Sequence, residues 1–214
     1  MFEAIIFDVD GVLVDSMRFH ADAWIEAFRE AGISIKREDI YEIEGGNDRG
    51  IVRSIFEKSG KNPGPEDFES IPRRKREILD LSLIKPFDGV VSCLDKLRDK
   101  FRLALVSGSS RLVVGTVIEN FFSGIFEVVV TGSDVENGKP APEPYLKAVE
   151  KLSLPENECL VVENAPMGIE AAKNAGLYCV AVSSTLRPER LQHADLIFEN
   201  HVELFRYFKS LIHD

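Results

Sequence analysis

Short, unbroken apolar runs alternate with stretches of helical spacing along most of the chain. A short apolar run without polar alternation is typical of a strand that is buried on both faces of a parallel sheet. Strands that alternate with helices predict right-handed βαβ units, and hence a doubly wound, Rossmann-like α/β fold with a parallel sheet. The predicted strands are residues 4–7, 102–106, 126–130, 159–162, 178–182 and 195–198, and the predicted helices are residues 89–99, 110–120, 143–152, 166–175 and 201–212.

One long region breaks this alternation, because residues 16–82 show helical spacing only. Trp24 and Phe28 belong to an apolar stripe on one helix face, and Asp15 or Ser16 is a suitable N-cap for that helix. Further helices are predicted over residues 37–43, 48–59 and 66–81.

We therefore expect an α/β core made of residues 1–15 and 85–214, with an inserted all-helical cap domain at residues 16–84. In doubly wound sheets, ligands bind beyond the carboxyl ends of the strands. An insert that follows the first strand directly would lie over that edge and act as a lid.

Composition narrows the class of partner. The chain has 214 residues, of which 44% are apolar, so it can bury a sizeable core. Its formal net charge of -10 argues against a nucleic-acid surface, which needs clustered Lys and Arg. An anionic substrate must then be attracted by local groups and not by the overall field. The oligomeric state is left open and is compatible with a monomer.

The cysteines and the N-terminus suggest a location. Cys93, Cys159 and Cys179 lie in apolar runs and show no CxxC or Cys/His spacing, which predicts buried, reduced thiols and a reducing cytoplasm. The N-terminus has no basic stretch followed by an apolar core, and no apolar run reaches the length of a membrane span. We expect neither a signal peptide nor a membrane interaction.

Polar side chains follow four of the predicted strands at the point where each strand ends. Because the carboxyl ends of parallel strands meet at one edge of a sheet, these side chains are expected to converge. They are Asp8 and Asp10 after the first strand, Ser107 after residues 102–106, Lys139 after residues 126–130, and Glu163 with Asn164 after residues 159–162.

This set suits phosphoryl transfer. The carboxylates of Asp8, Asp10 and Glu163 would raise one another's pKa unless a cation compensated them. Mg²⁺ takes oxygen ligands and leaves positions open for phosphate. Asp8 can attack phosphorus as a nucleophile, and Asp10 can protonate the leaving oxygen and later deprotonate the attacking water.

The remaining groups suit phosphate binding. Ser107 and the N–H groups of the turn that follows it can hold phosphate oxygens at a helix N-terminus. Lys139, between Gly138 and Pro140, supplies a positive charge that balances the transferring phosphoryl group.

Simpler structural roles are open for several of these residues. Asp8 and Asp10 could end a strand as solvated acids, and Asn164 could cap the helix that begins near Pro166. Residues 73–77 (RRKRE) are typical of a solvated helix face. Plain roles in a loop, on the surface or in helix packing are also open for Ser107, Lys139, Glu163, His20 and the glycine-rich stretch 44–50, which contains Arg49.

Four segments resemble, in order, the four motifs of the haloacid dehalogenase-like hydrolases. They are DVDGVLVDS, VSGSS, GKPAPEP and VENAPMGIEAAKNAG, and together they span nearly the whole chain. A helical insert directly after the first motif resembles the subgroup that contains phosphoglycolate phosphatases, sugar- and polyol-phosphate phosphatases and β-phosphoglucomutase.

The resemblance implies a role for each matching residue. It implies Asp8 as nucleophile, Asp10 as acid/base, and Ser107 and Lys139 as phosphate contacts. It implies Mg²⁺ held by Asp8, the Asp10 carbonyl, Glu163 and Asn164. It also implies that His20 faces the substrate. From the residues themselves, we expect Gly108 and Ser109 of the turn after Ser107 to contact the substrate, and Arg49 to meet a second anionic group.

One position departs from the pattern. The family usually has Asp at the position of Asn164, and Asn offers Mg²⁺ an oxygen without a charge. Asp8 and Glu163 would then be the anionic ligands.

Three functions follow as hypotheses. The first is a Mg²⁺-dependent phosphatase that hydrolyses a small sugar, polyol or glycolate phosphate through an aspartyl-phosphate. The second is a β-phosphoglucomutase-type mutase, which must hold a bisphosphate and therefore needs cations on the cap, for which Arg49 and residues 73–76 are candidates. The third is a non-catalytic binder of a phosphorylated ligand. The sequence does not identify the substrate, because specificity lies in the cap.

Overall fold

The computed structural model describes residues 1–43 and 45–213. Six strands form its sheet, and each is a short apolar run, as the sequence predicted. Their bounds are Ala4–Phe7 (β1), Arg102–Val106 (β2), Val128–Val130 (β3), Cys159–Glu163 (β4), Tyr178–Val182 (β5) and Leu196–Phe198 (β6).

The sheet is parallel throughout, and its strand order is β3-β2-β1-β4-β5-β6. The chain reverses its direction of winding between β1 and β4, which is the switch point where open α/β sheets bind ligands. Phe7 at the end of β1 is level with Leu105 and Val162. The residues that follow these three positions therefore share one edge, and the predicted doubly wound α/β fold is confirmed.

α-Helices account for about half of the remaining described residues. Five lie between β1 and β2, and the other four follow β2. Their bounds are Met17–Glu30 (α1), Arg37–Tyr41 (α2), Asp48–Lys58 (α3), Asp67–Ile78 (α4), Val90–Leu97 (α5), Arg111–Phe121 (α6), Glu143–Leu152 (α7), Pro166–Asn174 (α8) and His201–His213 (α9).

Both faces of the sheet are covered, which explains why its strands lack polar alternation. Ile5 and Phe7 of β1 belong to an apolar cluster with α5, α6 and α9. Ala4 and Ile6, which point to the opposite face, belong to a second cluster with α7 and α8. The edge of the sheet is thereby held between two packed layers.

The inserted helices α1–α4 have an apolar cluster of their own. Trp24 and Phe28 of α1 lie in it, with Ile40 of α2 and Val52 and Ile55 of α3. The predicted helix over residues 66–81 ends earlier, at Ile78, because Leu79 is extended and residues 81–83 form a separate 3₁₀ turn.

Two further expectations concern the cysteines and the membrane. Cys159 and Cys179 are buried and Cys93 is half-buried, and all three are free thiols. Burial raises the pKa of both Cys93 and Cys159 to about 11, so these thiols are unreactive. Among the described residues, no helix is both long and apolar enough to cross a bilayer.

Candidate active site

A buried lysine joins two of the strand-end carboxylates. The Nζ of Lys139 donates to Asp8 Oδ1 at 2.6 Å and to Glu163 Oε1 at 2.6 Å. All three side chains are buried. The loop after β3 thus reaches across the sheet edge to the ends of β1 and β4, as the strand order requires.

The charges of this cluster depend on one another. Burial raises the pKa of Asp8 well above its ordinary value, and Lys139 opposes that rise while Glu163 adds to it. Burial alone would lower the pKa of Lys139, but Asp8 and Glu163 raise it above its usual value, so the lysine stays charged. Lys139 is therefore a buried cation that is held between two carboxylates.

Glu163 has protein donors on both of its oxygens. Tyr145 of α7 donates its hydroxyl to Oε1 at 2.6 Å, and the N–H of Asn164 donates to Oε2 at 2.9 Å. A Cβ at Gly168 would lie 1.8 Å from Oε1, so only glycine fits there. The sequence analysis missed Tyr145, because a tyrosine on an amphipathic helix gives no motif signal.

Asp10 lies in a shell of hydroxyl groups and one imidazole. Ser16 donates to Oδ1 at 2.6 Å, and Ser109 and Ser107 donate to Oδ2 at 3.1 and 3.5 Å. The Nε2 of His20 lies 3.1 Å from Oδ1. Burial would raise the pKa of Asp10, but His20 and Ser16 lower it below its ordinary value, so this carboxyl is ionised at neutral pH.

Ser16 fills the position that was predicted to cap the first helix. It is the N-cap of α1, but its side chain makes no capping hydrogen bond, because it is committed to Asp10. The Ser16 hydroxyl therefore links the first residue of the inserted helical segment to Asp10, the candidate acid/base.

The prediction that residues 73–77 form a solvated helix face is wrong for Lys75. Lys75 is 4% exposed, and its Nζ lies 2.9 Å from His20 Nδ1 and 5.3 Å from the centre of the Trp24 ring. Arg73 and Arg74 form ion pairs on the surface, as a solvated face would. The charged residues on both sides of Lys75 gave no sign that this position of α4 points inward.

Main-chain atoms bring the cap against the core. A Cβ at Gly108 would lie 2.4 Å from the carbonyl oxygen of Gly45 and 2.6 Å from that of Gly46. A Cβ at Gly138 would lie 2.8 Å from the N of Asn47. Each contact needs glycine on the core side.

The closed cap leaves a small inner cavity of about 20 Å³. That volume suits about one water molecule, which is too small for a phosphate ester. The cavity is lined by Asp8 and Asp10 from the core and by His20, Trp24, Asp48 and Lys75 from the cap, among others.

The glycine-rich stretch 44–50 lies partly outside the described residues, because Glu44 is not described. Arg49 stacks over Phe68 at 4.6 Å and does not line the inner cavity. Its neighbour Asp48 does, and it pairs with Arg76 at 2.6 Å. The inner cavity is thus reached by the carboxylate and not by the predicted arginine.

Asn164 does not cap a helix. The N-cap of α8 is Ala165, and the Asn164 amide is 1% exposed with no hydrogen-bond partner on either Oδ1 or Nδ2 among the described residues. Gly11 lies directly against it, with a positive φ of 82° and no room for a Cβ, which would be 2.1 Å from Nδ2.

This orphaned amide bears on the predicted Mg²⁺ site. In the described part of the chain, no three His, Cys, Asp or Glu side chains are grouped to hold a metal. A hard cation at this edge would therefore rely on the Asp8 carboxylate with neutral oxygens, of which the Asn164 amide is one. A buried amide without a partner is costly, and a cation would satisfy its oxygen. The donors present fit Mg²⁺.

Comparison with known proteins identifies the family. The sequence model of the haloacid dehalogenase-like hydrolases matches residues 5–182. The chain belongs to this family. The predicted resemblance is therefore confirmed, and the chain is an enzyme of the hydrolase class.

Three relatives show what the chain is similar to. The phosphorylated carbohydrates phosphatase of Thermotoga maritima is 31% identical over 82% of this chain and 82% of its own. A solved structure, a candidate β-phosphoglucomutase from Bacteroides vulgatus, has a TM-score of 0.90 and 31% identity over 98% of this chain and 88% of its own. The chloroplastic protein SUPPRESSOR OF QUENCHING 1 of Arabidopsis thaliana is 30% identical over 89% of this chain, which spans only 19% of that protein.

These relatives support hydrolysis of phosphoric monoesters on small phosphorylated molecules. The cytoplasmic location, the oligomeric state and the individual site roles stay predictions.

Proposed function

We propose that the protein is a Mg²⁺-dependent phosphatase that hydrolyses a small sugar, polyol or glycolate phosphate through an aspartyl-phosphate on Asp8. The observation that carries this proposal is the pairing of a buried Asp8 carboxylate with Lys139, with Asp10 beside it under a closed cap.

In the first step, an oxygen of Asp8 forms a bond to phosphorus, and the bond between phosphorus and the ester oxygen breaks. Lys139 balances the negative charge of the phosphoryl group during transfer. Asp10 gives its proton to the departing oxygen, which leaves as an alcohol.

Asp10 is ionised in the closed structure, so it must gain a proton before it can act as an acid. A phosphate anion that enters beside it raises its pKa, because like charges disfavour the ionised form. Substrate binding would therefore favour the protonated form of Asp10 that the first step needs.

In the second step, Asp10 accepts a proton from a water molecule whose oxygen forms a bond to phosphorus, and the bond to Asp8 breaks. Inorganic phosphate leaves, Asp8 is a free carboxylate again, and Asp10 carries a proton as it did at the start of the first step. The cap excludes bulk water, and the turn of Ser107, Gly108 and Ser109 would hold the phosphate oxygens.

Mg²⁺ would be held by Asp8, the Asp10 carbonyl oxygen and Asn164. When bound, it would supply positive charge next to the phosphate. Glu163 was predicted as a further ligand, and it would support the site by holding Lys139 between the two carboxylates.

Titration of Mg²⁺ into the protein by calorimetry tests this ligand set. Asn164→Asp adds a charged oxygen ligand, so we expect it to bind Mg²⁺ at least about tenfold more tightly. An unchanged affinity would remove Asn164 from the metal site.

The mutase hypothesis is less well supported. A mutase needs cations on the cap to hold a second phosphate. Arg74 and Arg76 pair with carboxylates and Arg49 stacks on Phe68, whereas Lys75 lines the inner cavity beside Asp8 and Asp10, where the first phosphate would bind. The non-catalytic hypothesis leaves the joined set of Asp8, Asp10 and Lys139 without a purpose.

Release of inorganic phosphate from a panel of phosphate esters, with Mg²⁺, tests the proposed function. We expect release from several monophosphates without a bisphosphate activator, and its loss by at least about a thousandfold in Asp8→Asn. Full activity in Asp8→Asn would disprove the nucleophile, and no release from any ester would favour the binder.

A further inference from the structure

One buried side chain beside the core cluster has no part in the proposed reaction. Tyr145 lies in the first turn of α7 and is fully buried. Its hydroxyl donates to Glu163 Oε1 at 2.6 Å, and the same oxygen accepts a hydrogen bond from Lys139 Nζ at 2.6 Å. Burial and the neighbouring carboxylates raise the pKa of Tyr145, so the phenol keeps its proton and remains a donor. Two donors thus share one carboxylate oxygen.

The ring of Tyr145 lies against the same lysine. Lys139 Nζ is 5.1 Å from the centre of the ring, a distance at which a cation is attracted to the face of an aromatic ring. Lys139 lies only six positions before Tyr145, in the loop that leads into α7. One short segment therefore supplies both side chains, and the phenol contacts the lysine as well as the carboxylate that holds it.

The hydroxyl of Tyr145 affects how the charge of Lys139 is divided. An ammonium group has three N–H donors, and Lys139 uses two of them on Asp8 and Glu163, which leaves one for a phosphate oxygen. The hydrogen bond from the phenol stabilises the negative charge of Glu163, so this carboxylate attracts the lysine less strongly. Lys139 is thereby shared between Asp8 and Glu163 at equal distances of 2.6 Å.

We propose that Tyr145 is a positioning residue, which keeps the positive charge of Lys139 beside Asp8 and the transferring phosphoryl group by stabilising the charge of Glu163. The inference rests on the proposed function, and it gives a role in that reaction to a residue outside the four motif segments. Without the hydroxyl, Glu163 would attract Lys139 more strongly. The phosphoryl group would then lose part of the charge that balances it during transfer.

Tyr145→Phe is the first test, because it removes the hydroxyl and keeps the ring. We expect kcat for p-nitrophenyl phosphate with Mg²⁺ to fall at least about tenfold while KM changes less than about threefold, since the charge of Lys139 matters most in the transition state. Tyr207→Phe removes the same oxygen from α9, on the opposite face of the sheet, and should leave both constants unchanged. An unchanged kcat in Tyr145→Phe would overturn the inference.

A second variant separates the hydroxyl from packing. Phenylalanine fills the same space and Glu163 Oε1 keeps its bond from Lys139, so Tyr145→Phe should fold like the native protein, which circular dichroism checks. Tyr145→Leu also removes the ring and its attraction for Lys139, so we expect kcat to fall about threefold further. If only Tyr145→Leu lost activity, Tyr145 would be a packing residue and the inference would be wrong.

A double-mutant cycle shows whether Tyr145 acts through Glu163. Glu163→Gln keeps the shape of this side chain but removes the charge that competes for Lys139. In that background, Tyr145→Phe should change kcat less than about twofold, compared with at least about tenfold in the native background. Equal factors in both backgrounds would mean that the hydroxyl acts independently of Glu163, which contradicts the inference.

Binding of orthovanadate separates this inference from the proposed function. Vanadate resembles the transferring phosphoryl group in its transition state, and such analogues bind more tightly than substrates. By calorimetry, we expect Tyr145→Phe to bind vanadate at least about tenfold more weakly than the native protein, and inorganic phosphate less than about threefold more weakly.

The outcomes of hydrolysis and vanadate binding are distinguishable. If p-nitrophenyl phosphate is hydrolysed but vanadate binds both forms equally, the proposed function stands and this inference fails. If no ester is hydrolysed but vanadate binding depends on Tyr145, the hydrolytic function fails and the positioning role stands. A native protein that neither hydrolyses an ester nor binds vanadate would overturn both.

Discussion

The core and the cap contribute different kinds of groups to the cavity between them. The core supplies Asp8 and Asp10, which line the cavity, and the buried Lys139 joins Asp8 to Glu163 by contacts of 2.6 Å. The cap supplies Lys75 and Asp48, which come from separate helices and face the same cavity from above.

In the proposed function, the core groups carry out the reaction and the cap groups select the substrate. The core groups follow the ends of β1, β3 and β4, so the sheet sets their spacing. The cap groups Lys75 and Asp48 come from the inserted helices and line the same cavity as Asp8 and Asp10. A substitution in the core should therefore affect every substrate, whereas a substitution in the cap should affect closure or the choice of substrate.

Lys139→Met should have the largest effect, because it breaks the core cluster. Two buried carboxylates would lose their cation, so we expect a loss of about 3–5 kcal/mol in the free energy of unfolding and at least about a hundredfold loss of phosphate release. Urea unfolding and phosphate assays measure the two effects.

The double variant Lys139→Met/Glu163→Gln is the control for the core cluster. It removes one of the stranded charges and should recover part of the stability without the activity. If Lys139→Met were as stable as the native protein, the charge of Lys139 would not be coupled to those of Asp8 and Glu163.

Lys75→Met should affect activity more than stability, since it removes a cap group from the His20 and Asp10 side of the cavity. We expect kcat to fall about tenfold or more and the pH profile to shift. Lys58→Met, on the exposed side of the cap, is the matched control. An unchanged kcat and pH profile would restrict Lys75 to packing against Trp24.

Gly108→Ala tests whether the cap must sit on the core backbone. The added methyl group would meet the carbonyl oxygens of Gly45 and Gly46, so we expect incomplete closure and about a tenfold loss in kcat/KM. Gly115→Ala on α6 meets nothing within 4 Å and should be neutral or stabilising. Small-angle scattering that shows the same compact shape for both variants would contradict this prediction.

Glu143→Gln should have the smallest effect, on stability alone. Hydrogen bonds from the N–H groups of Glu136 and Asn137 lower the pKa of Glu143. Its contribution is therefore present above the ordinary carboxyl pKa and is lost as the pH falls through the lowered value.

The difference in stability between native protein and Glu143→Gln should then be largest near neutral pH and vanish in acid. Thermal unfolding across the pH range measures it, with Glu150→Gln as the control. A difference that grows in acid would have the wrong sign.

The sequence predicted the core well because its signals are local. Apolar runs mark strands buried on both faces, and β1, β2 and β5 have the predicted bounds. Parallel order then brings Asp8, Lys139 and Glu163 together without further information. Asn164 is likewise found at the predicted edge.

The cap side was predicted less well, for a physical reason. Tertiary packing decides which face of an amphipathic helix contacts another domain. The local sequence pattern does not show this. Lys75 was therefore assigned to solvent, and Arg49 was expected where Asp48 lies. Tyr145 was missed because a tyrosine on an amphipathic helix gives no motif signal for its hydrogen bond to Glu163.

The contacts between glycine positions and backbone have an evolutionary consequence. Where Gly108 and Gly138 meet the cap, they touch mostly main-chain atoms of Gly45, Gly46 and Asn47. Neighbouring side chains such as that of Asp48 are thus free to change without loss of the fit between lid and base. A descendant of this protein could acquire a new substrate through a few replacements in one short loop while its reaction stayed the same.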